Sequence, residues 1–148
     1  MHLTVHTDYA LRVLFYLALS DDELATISDI AEYYGISKNH LVKIVHKLAQ
    51  EGLVLTVRGR AGGIKLADDP QNIRLGDIVR VTEPGFAMVN CKSDDGFCRV
   101  LPVCGLPKIF REATNAFLGE IDKYTLADAL RKRISLDELK SELTAGSS

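Results

Sequence analysis

The chain has 148 residues, of which 47% are apolar and 26% charged, with a formal net charge of −2. That length suits one compact domain or a small domain with an extension, and the composition is globular, not disordered. The longest apolar run, Val13 to Leu19, is far short of a membrane span, and the N-terminus lacks the basic and long apolar regions of a secretory signal; a cytoplasmic protein is expected, with no membrane partner.

In chain order, Thr7 is expected to cap a helix running to about Leu19, because Ala10, Val13, Leu14 and Leu17 fall at i, i+3, i+4 and i+7. After the polar Asp21-Asp22-Glu23, Thr26 caps a short helix to about Tyr34, with Asp29 in its positive first turn and Gly35 as its left-handed stop. Ser37 caps the next helix, to about Glu51. Leu41, Ile44, Val45 and Leu48 lie on one face of it, and Asn39, Lys43, His46, Lys47 and Gln50 on the other. Beyond Gly52, the runs Leu53 to Val57 and Ile64 to Leu66 read as a β-hairpin whose tip, Arg58-Gly-Arg-Ala-Gly-Gly63, is basic and glycine-rich. Ile73 to about Thr82 reads as a helix with Leu75, Ile78 and Val79 inward, closed by Pro84-Gly85.

The longest amphipathic stretch runs from Leu106 to Tyr124, with Ile109, Phe110, Ala113, Phe117 and Ile121 at helical spacing, and is a candidate subunit interface. Ser135 and Glu138 form a capping box for a last short helix bearing Leu136, Leu139 and Leu143, ahead of a frayed tail at 145–148. The expected fold is mainly α with a small β-hairpin wing. It divides into a winged helix-turn-helix DNA-binding domain over 1–83, a cysteine-bearing loop over 84–105, and a dimerisation helix with its tail over 106–148.

Helix, tight turn, helix and basic hairpin is the order of a winged helix-turn-helix. Between Lys38 and Lys65 six cations stand against Glu51 alone, a local net of +5 in a chain that is negative overall. Any one of these lysines by itself reads as an ordinary solvated cation; the combination of spacing, hairpin and charge points to double-stranded DNA. Ser37, Lys38, Asn39, His40, Lys43 and Lys47 are then the candidates for the major groove. Arg58 and Arg60 are the candidates for a narrow, A·T-rich minor groove, with Gly62 and Gly63 allowing close backbone approach.

Cys91, Cys98 and Cys104 are all the cysteines of the chain, with six and five residues between them. An odd count cannot be consumed by disulfides within one chain, and thiolates suit zinc or an iron–sulfur cluster. Structural zinc sites usually contain a shorter Cys-x2–4-Cys pair, which tilts the spacing slightly toward a cluster. No phosphate loop, histidine beside the cysteines or spaced carboxylate pair marks an enzyme.

Thr7-Asp-Tyr-Ala-Leu-Arg12, Gly35-Ile-Ser-Lys-Asn-His-Leu-Val-Lys43, Val57-Arg-Gly-Arg-Ala-Gly-Gly-Ile64 and the cysteine loop together resemble the iron–sulfur cluster-binding winged-helix repressors, the family of NsrR and IscR, over about residues 1–127. The resemblance is strongest to its nitric-oxide-sensing branch, which Tyr124-Thr-Leu-Ala-Asp128 also resembles. It implies a homodimer on an inverted-repeat operator, a 4Fe-4S rather than a 2Fe-2S cluster on the three cysteines, and release of DNA when the cluster is nitrosylated. The cluster-biogenesis branch supplies a histidine three residues after the third cysteine, where this chain has Pro107. The nitric-oxide branch implies instead that Asp8 of the partner subunit is the fourth ligand, with His2 and His6 as substitutes. Read from the residues alone, Asp8 is a first-turn acid worth roughly 0.3–1 kcal/mol through the helix dipole. Two other functions stay open: a sensor of iron or cluster supply on the same fold, and a zinc-stabilised DNA-binding protein.

Overall fold

The first helix, α1 (Val5–Leu19), is the element on which the others assemble, burying Thr7, Ala10, Val13, Leu14, Tyr16, Leu17 and Leu19 against neighbours on several sides. The computed structural model describes residues 2–21, 23–89, 91–93, 96–130 and 135–145. Asp22, the loop acids Asp94 and Asp95, the tail beyond Ala145 and the side chain of Leu143 lie outside that description.

Helix α1 begins earlier than its sequence suggests. Thr4 has the extended backbone of an N-cap, and its hydroxyl accepts the Thr7 N–H at 3.3 Å. Thr7, the expected cap, is fully buried, and its hydroxyl is used elsewhere. Helix α2 (Ile27–Tyr34) carries the anticipated reciprocal cap between Thr26 and Asp29 and ends at Gly35 with φ +65°. Helix α3 (Lys38–Gln50) starts at Ser37, whose side chain makes no capping bond.

Strands β1 (Val54–Val57) and β2 (Gly63–Leu66) pair antiparallel, Val54 opposite Leu66 and Val57 opposite Gly63. Val54, Ile64 and Leu66 turn into the core, while Leu55 and Val57 stay exposed. Ala25, just ahead of α2, bridges Ile64 through two backbone bonds of 3.0 and 2.8 Å, fastening the hairpin to the helix-turn-helix.

Helix α4 (Leu75–Thr82) begins two residues later than expected because the backbone before it is already engaged. The Leu75 N–H donates to the Tyr124 carbonyl at 3.0 Å, and the Leu126 N–H to the Ile73 carbonyl at 2.8 Å. The same engagement ends α5 (Leu106–Ile121) before Tyr124 and starts a short helix, α6 (Leu126–Ala129), under a Thr125–Asp128 capping box that the sequence reading missed. Helix α7 (Leu136–Ala145) opens on the expected Ser135–Glu138 box, with bonds of 2.7 and 3.2 Å.

The core gathers Leu14, Ile30, Leu41, Leu48 and Ile78 with Leu126 and Leu136, so residues beyond the long helix return to pack with the first eighty. Tyr16, Tyr33 and Tyr34 add edge-to-face contacts between α1 and α2, and Lys140 of α7 lies over two of those rings.

Candidate nucleic-acid interface and cysteine loop

Helix α3 has two faces. Leu41, Ile44, Val45 and Leu48 are buried, which fixes the opposite face outward: Lys38, Asn39, His40, Lys43, His46 and Gln50 are exposed, as is Ser37 ahead of the helix. Lys47 differs, being half-buried and donating to Glu51 Oε1 at 2.5 Å, so part of its charge is already answered within the chain. Val42 also stands on the outer face, 44% exposed, an apolar group among cations that the sequence reading passed over.

The wing presents Arg58 and Arg60, both exposed, between β1 and β2. Its glycines are required by its own shape. A Cβ on Gly62 would stand 2.3 Å from the Val57 carbonyl oxygen, and one on Gly63 would stand 2.8 Å from that of Ala25. Gly59 has φ +113°, and its carbonyl accepts the Gly62 N–H at 3.0 Å. The tip is therefore a tight turn that holds two guanidinium groups clear of the core.

Among its described residues the cysteine loop holds short elements of its own. Strand β3 (Lys92–Ser93) pairs with β4 (Gly96–Phe97), Lys92 opposite Phe97, so the first inter-cysteine gap is a miniature hairpin. Cys91 and Cys98 meet at its base, where the Cys98 N–H faces the Cys91 carbonyl at 3.4 Å. A 3-10 turn over Leu101–Val103 fills the second gap and delivers Cys104 two residues before α5. All three thiols are free, Cys98 exposed and the others half-buried. Among the described residues no three His, Cys, Asp or Glu side chains converge as a ready ligand set. The donors nonetheless fit a soft metal centre in kind: three free thiols in one short loop, two of them on residues whose backbones meet at a hairpin base.

Asp8 lies on the exposed side of α1 and accepts from Arg12 Nε at 2.9 Å, with both side chains about half exposed. An exposed i,i+4 pair of this kind is worth ~0.3–0.5 kcal/mol, too little to hold the carboxylate against a better partner. Arg12 also stacks over the Tyr34 ring, its guanidinium carbon 5.7 Å from the centroid. His2 is exposed, and His6 is half-buried near Glu83.

Sequence reasoning missed the joint between the start of α1 and the end of α4. Glu83 Oε1 accepts from the Thr4 N–H at 2.8 Å, the Thr4 hydroxyl at 3.0 Å and the Thr7 hydroxyl at 2.5 Å. The Thr7 hydroxyl also lies 2.9 Å from that of Thr82. Burial pushes the Glu83 carboxyl up; the hydroxyl and N–H donors, with His6 nearby, outweigh it and hold the group below its ordinary value. This joint ties the helix bearing Asp8 to the segment that leads into Cys91. No sequence signal announces it, since its partners lie more than seventy residues apart.

The Rrf2 family model, described as an iron-dependent transcriptional regulator, matches residues 3–132. The HTH-type transcriptional regulator NsrR of Bacillus subtilis (strain 168) is 47% identical over 141 residues, which span 94% of this chain and 97% of that protein. Among solved structures, IscR of T. potens matches with a TM-score of 0.67 at 29% identity, over 88% of this chain and 87% of that one. CymR, the global cysteine regulator of B. subtilis, matches with a TM-score of 0.66 at 26% identity, over 87% and 95% of the two chains.

Proposed function

Because the chain belongs to the Rrf2 family of transcriptional regulators, we propose that it is a nitric-oxide-responsive repressor: a cytoplasmic homodimer that holds an inverted-repeat, A·T-rich operator and lets it go when nitric oxide reaches the cysteine loop. The observation that carries this reading is the set of three free thiols in one short loop, joined to a basic winged helix. On this reading Cys91, Cys98 and Cys104 hold an iron–sulfur cluster, 4Fe-4S in preference to 2Fe-2S, and Asp8 of the partner subunit is its fourth ligand. When bound, the cluster supplies an iron site that a small diatomic molecule can reach.

The chain's own residues do the rest. Asp8 would be the one oxygen ligand beside three thiolates, and in this structure its carboxylate accepts from Arg12 Nε at 2.9 Å. Ser37, Lys38, Asn39, His40 and Lys43 meet the major groove from the start of α3, with Lys47 nearer its end. Arg58 and Arg60 enter the flanking minor groove from a turn shaped by Gly62 and Gly63. Leu106 and Ile109, half exposed on α5 beside half-buried Phe110, Phe117 and Ile121, support α5 as the dimer contact.

The test is an anaerobic absorbance spectrum with iron and sulfide analysis, then titration with nitric oxide while operator binding is followed. Iron and sulfide in the protein, with bleaching and DNA release on the same nitric-oxide titration, is the expected result. The family model's description as iron-dependent favours one second reading, a sensor of iron supply. That reading gains if the protein ignores nitric oxide and releases DNA on iron depletion. A colourless zinc protein that binds DNA regardless removes both.

A further inference from the structure

Helix α5 meets the rest of the chain from its middle to its C-terminal end, where Thr114 and Phe117 face His2, Leu3 and Glu83, while its start stands more exposed. Of its residues only Thr114 is buried, and Leu106 and Ile109 at its start are 49% and 57% exposed. Its far end is fastened: Asp122, the residue closing α5, accepts two bonds from the Arg80 guanidinium of α4, Nη1 to Oδ1 at 2.6 Å and Nη2 to Oδ2 at 2.7 Å. Asp77, one turn back on α4, adds a second carboxylate 3.6 Å from Nη1. The seat of this fork is Gly76, where a Cβ would stand 1.8 Å from Asp122 Oδ1 and 2.8 Å from Arg80 Nη1. Gly76 has no positive φ that would call for glycine, so what its bare backbone supplies there is room for the carboxylate.

The cysteine loop joins the same two helices, leaving α4 at Glu83, just beyond the last turn that carries Arg80, and entering α5 at Leu106, the end of α5 opposite Asp122. With 16 residues, α5 is a rod of about 24 Å, loop at one end and the Arg80–Asp122 fork at the other. Helix α4 in turn buries Ile78 and Val79 and packs on α1, which packs on α3. We infer that Arg80 and Asp122 are positioning residues that fix the angle of α5 to α4, so that a displacement at the cysteine loop reaches α3. The inference rests on the sensing role proposed above for that loop. A two-bonded, planar fork sets an angle as well as a distance, which a single contact does not. The backbone bonds at Leu75–Tyr124 and Ile73–Leu126, and Leu126 in the core, keep α5 attached when the fork is lost. Loss of the fork therefore uncouples the two ends without unfolding the chain.

The test is a two-by-two comparison on the full-length anaerobic protein, with Cys104→Ser as the loop perturbation and Asp122→Asn as the fork perturbation. The probe is the DNA duplex that wild-type protein selects from a random pool. Cys104→Ser is expected to weaken binding about tenfold or more in the wild-type background. In the Asp122→Asn background the same factor is expected to fall to within about twofold of one. Gly76→Ala, which displaces the carboxylate without changing charge, should behave like Asp122→Asn, and Arg80→Lys should fall between. Amide exchange gives a second readout: Cys104→Ser should raise exchange over residues 38–50 only where the fork is intact. If Asp122→Asn weakens both proteins by one common factor and leaves the ratio unchanged, the fork is only structural and the inference is overturned while loop sensing stands. If Cys104→Ser has no effect even with the fork intact, the sensing role falls, and this inference with it.

Discussion

The head built from α1 to α4 and the arm made of the cysteine loop and α5 use their side chains in opposite ways. In the head, Ala10, Val13, Leu14, Ile30, Leu41, Leu48 and Ile78 are completely buried, and their burial decides which faces look outward. In the arm, Val103 is 89% exposed, Ile109 57% and Leu106 49%, and the thiols are free. An apolar group already in water loses little when it is removed, so the same substitution has a different meaning in the two regions. The head's residues hold the chain together, whereas the arm's are available to groups outside it.

The contrast breaks most visibly on paired truncations. Leu14→Ala should destabilise the chain by about 2–5 kcal/mol, since it empties a site enclosed on all sides. Ile109→Ala should change denaturant unfolding of dilute protein by less than about 0.5 kcal/mol, yet weaken self-association in sedimentation. Equal unfolding losses would mean that α5 is part of the head's core. Next in size is Gly62→Ala, whose Cβ meets the Val57 carbonyl oxygen at 2.3 Å. A clash with backbone is relieved only by moving the turn, at about 1–3 kcal/mol, so both stability and duplex affinity should fall. Arg60→Ala separates those two readouts: unfolding should be unchanged within about 0.5 kcal/mol, while the salt dependence of DNA binding loses about one unit of slope.

The head was legible because its signals are local. The i, i+3, i+4, i+7 pattern from Ala10 to Leu17 and from Leu41 to Leu48, the Thr26–Asp29 cap and Gly35 all lie within a helical turn or two of the feature they specify. So do the family motifs around Gly35 to Lys43 and Val57 to Ile64, and the three cysteines. What escaped is what distance joins. Thr7 looked like a cap because nothing in its neighbourhood shows Glu83, 76 residues away, taking its hydroxyl. Arg80 and Asp122, 42 residues apart, were not singled out, because neither carries a local mark of the other. The arm's hairpin was missed for a different reason: two-residue strands are too short to show any alternation.

The smallest effect tests the joint between the two regions. Glu83 sits where the head ends and the loop begins, and its carboxylate is favoured in the folded state by the Thr4 and Thr7 donors and by His6 nearby. A carboxyl held below its ordinary value of 4.5 contributes stability that is fully present above that value and is lost as pH falls through the folded one. Asp29, Asp122 and Asp128 are also held low, by Thr26, Arg80 and Thr125 in turn, so the acid limb of the stability curve is shared. Glu83→Gln keeps a side-chain carbonyl that can accept from Thr4 and Thr7 but removes the charge. Thermal unfolding from pH 7 down to about 3 should show the variant less stable at neutral pH by on the order of 1 kcal/mol, with the two curves converging in acid. A constant offset across that range would mean that the geometry of the acceptor, not its charge, holds the start of α1 to the end of α4.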